Sequence, residues 1–494
     1  MIPYIIRSFR GGISDENQRG IAGSFKFGYG IQIHDTDDVL KSKQALATIF
    51  DGNNTTQTGI IQFFVPATDG TTYCFGSTGS IFARSGDGAW NFVYNDENGA
   101  IKGAAEWELS DGNDYLFWAT ATSVARKLLQ GADISPDSGA ARWTDVSADW
   151  KTTLDSTDWH TMKNASGQLN IANGNYLASI DYDGNFDPAD LNLRPGNLIK
   201  ALEERDDYAI LGSYRKDNSE EGHIWSWITT AINWVQKKRI PVKGVNSLIN
   251  AEMPILQGGD NGELFFSDFV NAVPLHGVPG GGQTDPSGVS IEDDIAIFGF
   301  YGGTYPGLWS YGRKRKNRPH TFNYDYRMAK GALGSTVSQI GAVEMVNSEL
   351  LASWKTTDGS TIEYGVDSVS STTKATALYE GLEFSGGSPH LKKEFDSVKL
   401  TMSPLPSGTS VSVKYKTDKA TTGGDSSAGA GWKYAVLGSG ATTFSETGET
   451  ETIFIIGGTA KVYEVGVELN PSSNNTPEIW AITTFIGEGK QEYV

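Results

Sequence analysis

One β-rich unit recurs along most of this chain, and that repetition constrains the fold more than any single motif does. Each copy reads as an apolar strand, a polar turn, a second strand with a small or aromatic residue near its end, another turn and a third strand. The second strands are Tyr73-Cys74-Phe75-Gly76, Tyr115-Leu116-Phe117-Trp118, Gln168-Leu169-Asn170-Ile171, Tyr208-Ala209-Ile210-Leu211, Ile255-Leu256-Gln257-Gly258, Ile295-Ala296-Ile297-Phe298 and Leu350-Leu351-Ala352-Ser353. Successive copies begin 42, 53, 40, 47, 40 and 55 residues apart, bracketing the roughly 40 to 50 residues of a four-stranded propeller blade. The uneven steps place insertions at loops.

First strands such as Gly103-Ala104-Ala105-Glu106-Trp107 and Gly341-Ala342-Val343-Glu344-Met345-Val346 carry the small residues that crowding around an axis demands. Third strands such as His223-Ile224-Trp225-Ser226-Trp227 and Gly307-Leu308-Trp309-Ser310 supply aromatics for seams between stacked sheets. Strands that are nearly all apolar fit sheets buried on both faces. The expected fold is therefore all-β, with an approximately seven-bladed β-propeller over residues 59–377. An open multi-sheet β protein is the rival.

From about Leu378 the pattern changes to clean alternation, as in Val411-Ser412-Val413-Lys414-Tyr415 and Val462 to Leu469, the period of a sheet with one wet face. Further strands are expected at Phe395 to Met402, Trp432 to Leu437, Thr452 to Ile456 and Glu478 to Ile486. This predicts a β-sandwich, jelly-roll-like, over 378–494, with a Gly/Ser/Thr-rich mobile loop from Asp418 to Gly431. The first 58 residues form a third region. Ile5 to Gly12 reads as an extended arm, and Gly28 to His34 as a strand that closes the propeller ring against its open edge.

Composition narrows the chemistry. With 40 Lys plus Arg against 59 Asp plus Glu, the formal charge is −19, so a sequence-specific nucleic-acid grip is not expected. Cys74 is the single cysteine, which rules out an intrachain disulfide and a multi-thiolate zinc site within one chain. The opening lacks the basic start and apolar core of a secretory signal, and no apolar stretch reaches the roughly 20 residues of a membrane span. A soluble protein without a membrane anchor, folding in a reducing cytoplasm, is expected.

No residue stands out as catalytic. Asp206 with Asp207, Asp260, and Asp293 with Asp294 would serve a glycoside hydrolase if two of them faced a common channel; as residues of tight turns they would instead cap backbone amides. Ser85 to Trp90 has only the outline of a sialidase Asp box, one residue short and without its Thr. Asp181, Asp183, Asn185 and Asp187 alternate as oxygen ligands do in a calcium loop, making a structural Ca2+ the one cofactor considered; an acidic hairpin turn is the competing reading. The six histidines show no close pair, and no nucleophile elbow or phosphate-binding loop appears. Two basic runs, Arg313-Lys314-Arg315-Lys316-Asn317-Arg318 and Lys237-Lys238-Arg239, are solvated hairpins, docking elements for an acidic neighbour or, least favoured at a net charge of −19, DNA contacts.

The opening segments Ile6-Arg7-Ser8-Phe9-Arg10-Gly11-Gly12-Ile13-Ser14, Gly20 to Phe25 and Gly30 to His34 resemble those of large virion proteins of tailed bacteriophages, in which an N-terminal arm precedes a propeller. Lys392 to Val398, Val411 to Asp418 and Trp432 resemble the sandwich that often follows. The resemblance implies a multi-copy structural protein of the virion tail, of nozzle, hub or fibre-attachment type, assembled in the host cytoplasm. Its partners would be other tail proteins and copies of itself, and no enzyme activity is implied. Arg7, Phe9, Arg10, Arg313, Lys314, Arg315 and Lys316 are the residues expected to make subunit contacts. A propeller glycoside hydrolase with a carbohydrate-binding sandwich, and a tail adhesin that binds a host surface glycan, are the alternatives.

Overall fold

The computed structural model describes residues 2–16, 20–34, 38–51, 59–129, 143, 145–217, 219–330, 337–358, 361–385 and 390–487. Among these residues every regular element is a β-strand, and none is a helix. The chain divides into two compact units, one made of 1–46, 309–327 and 369–494, the other of 47–308 and 328–368.

The second unit is a β-propeller. Among the described residues, six four-stranded sheets follow the sequence repeat. Five of them run in simple chain order: Ile61–Pro66 to Asn91–Asn95, Gly103–Glu108 to Ser147–Lys151, Met162–Ala165 to Phe186–Asn192, Asn197–Arg205 to Gln236–Ile240, and Val245–Asn250 to Ala272–Gly277. The sixth joins Val337–Val346, Glu349–Asp358 and Thr361–Lys374 to the distant Gln44–Asp51. Between the last two in chain order, Val289–Glu292 pairs antiparallel with Ile295–Phe300. All seven second strands expected from the repeat are strands, including the polar Gln168–Asn173.

Burial explains the composition of these strands. Every residue of Thr71–Gly76, Gly222–Trp227 and Ile295–Phe300 is buried, because sheets cover both faces. Each sheet packs its side chains on the next: Phe75 and Ile81 with Leu116 and Trp118, Phe117 with Ile171, Leu177 with Leu211 and Trp225, Ile210 with Leu256 and Phe265. Each such fully buried side chain contributes about 1.5–3 kcal/mol. The final sheet packs on the first through Leu351, Val366 and Phe50 against Ile61, Cys74 and Phe82, and Ser353 Oγ donates to Ile61 O at 2.6 Å. That contact closes the ring. Two glycines mark how tightly the inner strands meet: a Cβ at Gly103 would overlap the His160 carbonyl, and one at Gly341 the Ile61 carbonyl.

Ring closure uses a strand borrowed from the N-terminal region, but a later one than expected. Gln44–Asp51 completes the last sheet, whereas Gly28 and Tyr29 end Ser24–Tyr29, which pairs antiparallel with Ala377–Gly381 in the first unit. The difference is physical. Thr48 and Phe50 can enter a half-buried sheet, while Gly28 and Gly30 lie too close to the Leu378 and Thr376 carbonyls for any side chain.

Among the described residues the first unit draws on two sheets. In one, Ile2–Ile6, Ile479–Ile486, Lys393–Met402 and Glu451–Ile455 lie side by side in that order. The other carries Ser24–Tyr29, Ala377–Gly381, Tyr463–Asn470, Ser410–Thr417 and Lys433–Tyr434. Phe395 of the first meets Tyr463 of the second edge to face at 4.5 Å, with Phe384 packed on both. The segment expected as a strand from Trp432 to Leu437 is strand only at Lys433–Tyr434. The Asp418 to Gly431 loop is stitched internally: Gly431 N donates to Gly423 O at 2.7 Å and Tyr434 N to Asp425 Oδ2 at 2.8 Å.

Candidate functional site

The inner strands of the propeller surround a cavity of about 610 Å3. Its wall draws on Ile61–Pro66, Gly103–Glu108, Met162–Ala165, Asn197–Arg205, Val245–Asn250, Val289–Glu292 and Val337–Val346, so each inner strand of the ring contributes. Most of the lining is apolar, as a first strand packed against neighbouring sheets must be. Glu106, Lys163, Glu203, Glu204 and Glu344 are the charged exceptions.

These charges form a local network. Lys163 Nζ lies 2.8 Å from Glu203 Oε1. Burial pushes the Glu344 carboxyl up to about 7, with Glu203 reinforcing the shift and Lys163 and the Met345 amide opposing it. Burial also works against charge on Lys163, yet Glu203, Glu344 and Glu204 together raise its ammonium above the ordinary range. Farther along the wall, burial raises Glu106, whose oxygens accept from Thr68 N at 3.0 Å and Thr68 Oγ1 at 2.6 Å. Glu344 can hold one proton near neutral pH.

Sequence reasoning passed over Lys163, Glu203 and Glu344. A signal was present for two of them: Glu344 is the one charged residue of Val337–Val346 and Lys163 that of Met162–Ala165, whereas Glu203 shares Asn197–Arg205 with Lys200, Glu204 and Arg205 and so does not stand out by charge. The carboxylates it did single out lie elsewhere. Asp206 and Asp207 form a left-handed two-residue turn between Asn197–Arg205 and Tyr208–Arg215, and Asp293 occupies the same kind of turn after Val289–Glu292. Asp260 and Asp294 are exposed on turns as well. None of the five lines the axial cavity.

The candidate calcium loop is a hairpin turn held by its own amides. Asp181 accepts from Asn185 N at 2.8 Å and from Asn185 Nδ2 at 2.9 Å, and Asp187 accepts from Ala189 N at 2.8 Å. Asp181 and Asp187 are thus turned onto separate parts of the backbone. Arg313 to Lys316 project from the hairpin between Gly307–Gly312 and Thr321–Tyr326, where Arg313 Nη1 donates to the Lys316 carbonyl at 2.9 Å. In the other basic run, Lys237 sits 4.3 Å over the Trp225 ring and Arg239 pairs with Glu221 at 3.3 Å.

The arm needs one correction. Ile2–Ile6 is a strand at the edge of a sheet, paired antiparallel with Ile479–Ile486, and Arg7 is exposed beyond it. Arg10 is half-buried, with Nε 3.7 Å from Asp38. Phe9, expected at a subunit contact, is 1% exposed and packs edge-on to Tyr379 at 5.5 Å. This aromatic ring, two residues ahead of the Gly11-Gly12 pair, found a core site, so its side chain offers nothing to a neighbour.

The face that is offered lies on the sheet this arm completes. Register places Ile5, Thr483, Lys399 and Ile453 in one cross-strand row, and Pro3, Phe485, Ser397 and Ile455 in the next. Ile5, Ile453, Ile455 and Trp480 are 43%, 53%, 48% and 50% exposed. Ile5 stands on one outer strand of this sheet and Ile453 and Ile455 on the other, with Thr483, Lys399, Phe485 and Ser397 between them.

No protein-family model matches this chain. No curated protein matches it either. Among solved structures it is similar to the β-propeller domain of Cps50 (Swd1) from Myceliophteria thermophila, at 11% identity and a TM-score of 0.39, over 62% of this chain and 96% of that one. A chain of the mitotic checkpoint complex shows 10% identity and a TM-score of 0.43 over 64% and 93%. Raptor from Chaetomium thermophilum shows 11% identity and a TM-score of 0.40 over 66% of this chain and 29% of its own.

Proposed function

We propose that this chain is a structural protein of a bacteriophage virion, a multi-copy tail component of nozzle, hub or fibre-attachment type that works through subunit contacts and not as an enzyme. The observation that carries the reading is the exposure of four large apolar residues, Ile5, Ile453, Ile455 and Trp480, on one sheet built partly by the N-terminal strand. The sequence resemblance of Ile6 to Ser14 and its following segments to tail-protein openings supports the virion setting. Arg7 and the exposed Lys314, Arg315 and Lys316 supply basic contacts for the acidic surface that a chain of net charge −19 presents on its own copies.

The finer architecture belongs to the same proposal. The propeller has seven blades, one for each inner strand lining the axial cavity. The two sheets joined by Phe395 and Tyr463 make a β-sandwich.

Sedimentation of the purified full chain, with negative-stain electron microscopy, tests the reading. Rings or stacks that grow with concentration are expected, and the Ile453→Asp, Trp480→Asp double variant should shift them to monomer while unfolding at an unchanged temperature. A wild-type chain that stays monomeric at high concentration would overturn it.

A further inference from the structure

A second cavity, of about 210 Å3, lies where three successive inner strands begin or are approached: Asp158 and Trp159 ahead of Met162–Ala165, Lys200 in Asn197–Arg205, and Asn246 in Val245–Asn250. Tyr214, Lys243, Gly259, Asp260 and Gln283 complete its wall. None of these residues lines the axial cavity or is among the exposed apolar residues used above. The assembly reading leaves this cavity without a role.

Its chemistry is selective. Two ammonium groups and two carboxylates leave the wall with no net formal charge, which favours neither an anion nor a cation. The polar side chains carry donors and acceptors close together, which disfavours an apolar ligand. Two aromatic rings add flat apolar surface beside those groups. The volume falls below the roughly 300 Å3 at which drug-sized sites begin, so a single ring-sized ligand fits.

Two of the polar groups, Asn246 and Lys200, are held in place before any ligand arrives, and Asp260 lies 3.7 Å from Lys243 Nζ. Asn246 Nδ2 donates to Gln257 Oε1 at 2.9 Å and to the Gly259 carbonyl at 2.6 Å, which fixes its Oδ1 toward Lys200 Nζ at 2.8 Å. An ammonium has three donors, so this single bond leaves Lys200 capacity to donate into the cavity. Lys200 stands 6.0 Å from the Trp159 ring centre. The Trp159 indole is half-buried and braced by Phe63 at 6.2 Å, and its carbonyl is held by Thr157 Oγ1 at 2.9 Å. Such a wall places aromatic rings beside carboxylate, amide and ammonium groups. That combination matches one ligand class: a neutral pyranose, whose C–H face stacks on an aromatic ring while its hydroxyls each donate and accept.

We propose that this cavity binds one neutral saccharide unit, stacked on Trp159 and hydrogen-bonded by Lys200, Asp158, Asp260 and Gln283. The site is independent of the oligomer, so its failure and the failure of the assembly reading are separable. The unit comes either as a free sugar or as part of a cell-surface polysaccharide, and the experiment has an arm for each.

Saturation-transfer NMR on the full chain would use the methyl glycosides of glucose, galactose, mannose, rhamnose and N-acetylglucosamine as probes, with purified bacterial lipopolysaccharide and capsular polysaccharide in parallel. Saturable transfer is expected from at least one glycoside. Trp159→Ala should weaken it at least tenfold and the exposed Asp158→Asn several-fold, while Trp480→Ala leaves it unchanged. Stronger retention of polysaccharide than of the free glycoside would identify the surface glycan as the source, and equal retention the free sugar. Absence of transfer from every probe to the folded wild-type chain would overturn the proposal. Binding that survives Asp158→Asn and Trp159→Ala unchanged would do the same.

Discussion

Trp354 donates its indole N–H to Asp367 Oδ1 at 2.7 Å, and the same carboxylate accepts from Thr48 Oγ1 at 2.8 Å and from Ala329 N at 2.6 Å. One buried side chain therefore ties the borrowed strand Gln44–Asp51 to the sheet it completes. Burial raises the Asp367 carboxyl, against the pull of its three donors. Removing the carboxylate strands those donors in the interior, each at about 1–3 kcal/mol. Asp367→Ala is expected to cost at least about 3 kcal/mol in denaturant unfolding, and Thr48→Ala about 1 kcal/mol. Equal, small effects from both would show that Asp367 does not join the strand to the sheet.

The axial cavity makes a prediction about pH. Glu344 is pushed up to about 7 in the folded chain by burial, with Glu203 and Lys163 as its charged neighbours, while an unfolded Glu titrates near 4.3. Between those two values the folded chain holds a proton that the unfolded chain has released. Stability supplied by the protonated form is thus present below about pH 4 and lost as pH rises through 7. Melting temperature should fall from pH 5 to pH 8, and Glu344→Gln should flatten that part of the profile. A profile identical in both proteins would contradict this.

How much of this was legible beforehand depends on what each residue had to do. The inner layer was readable because stacked sheets demand apolar second strands, and Tyr73 to Gly76 or Ile295 to Phe298 can be little else. Even Gln168–Asn173 fits, since its polar side chains bond inside the sheet: Asn170 Nδ2 donates to the Ala165 carbonyl at 2.7 Å. The closing strand was misplaced because Gly28 to His34 and Gln44–Asp51 are equally strand-like locally, and only long-range pairing with Thr361–Lys374 separates them. Phe9 was misread for the same reason, its partner Tyr379 being 370 positions away in the chain. The network of Lys163, Glu203 and Glu344 and the cavity around Trp159 both assemble across sheets, so no local window of sequence contains them.

His34 gives a second pH dependence, of opposite sign, in the first unit. Burial lowers its imidazole to about 4, with Lys43 and Lys314 adding to the shift and Asp325 opposing it. Its Nε2 lies 3.1 Å from Ser310 Oγ. An unfolded His takes up its proton near 6.5, so stability from the neutral ring is complete above that value and is lost as pH falls toward 4. His34→Gln removes the group that must be discharged on folding. Relative to wild type, the variant should lose less stability between pH 7 and pH 4.5, read as the shift in urea midpoint. A larger loss in the variant would refute the assignment.

The N-terminal region separates core from contact within three residues. Phe9 is buried against Tyr379, and its backbone N–H donates to Asp38 Oδ1 at 2.8 Å. Truncating a buried aromatic ring removes transfer energy and leaves a cavity, at about 3–5 kcal/mol. Phe9→Ala is accordingly expected to lower stability by that amount, measured by chemical denaturation of the chain at a concentration where it is monomeric. Arg7 is exposed, and Arg7→Ala should stay within about 0.5 kcal/mol of wild type. In sedimentation the order reverses if Arg7 contacts a neighbouring copy: Arg7→Ala weakens association while the monomer remains folded. An Arg7→Ala chain that associates like wild type would confine the contact to the sheet on which Ile453 and Trp480 are exposed.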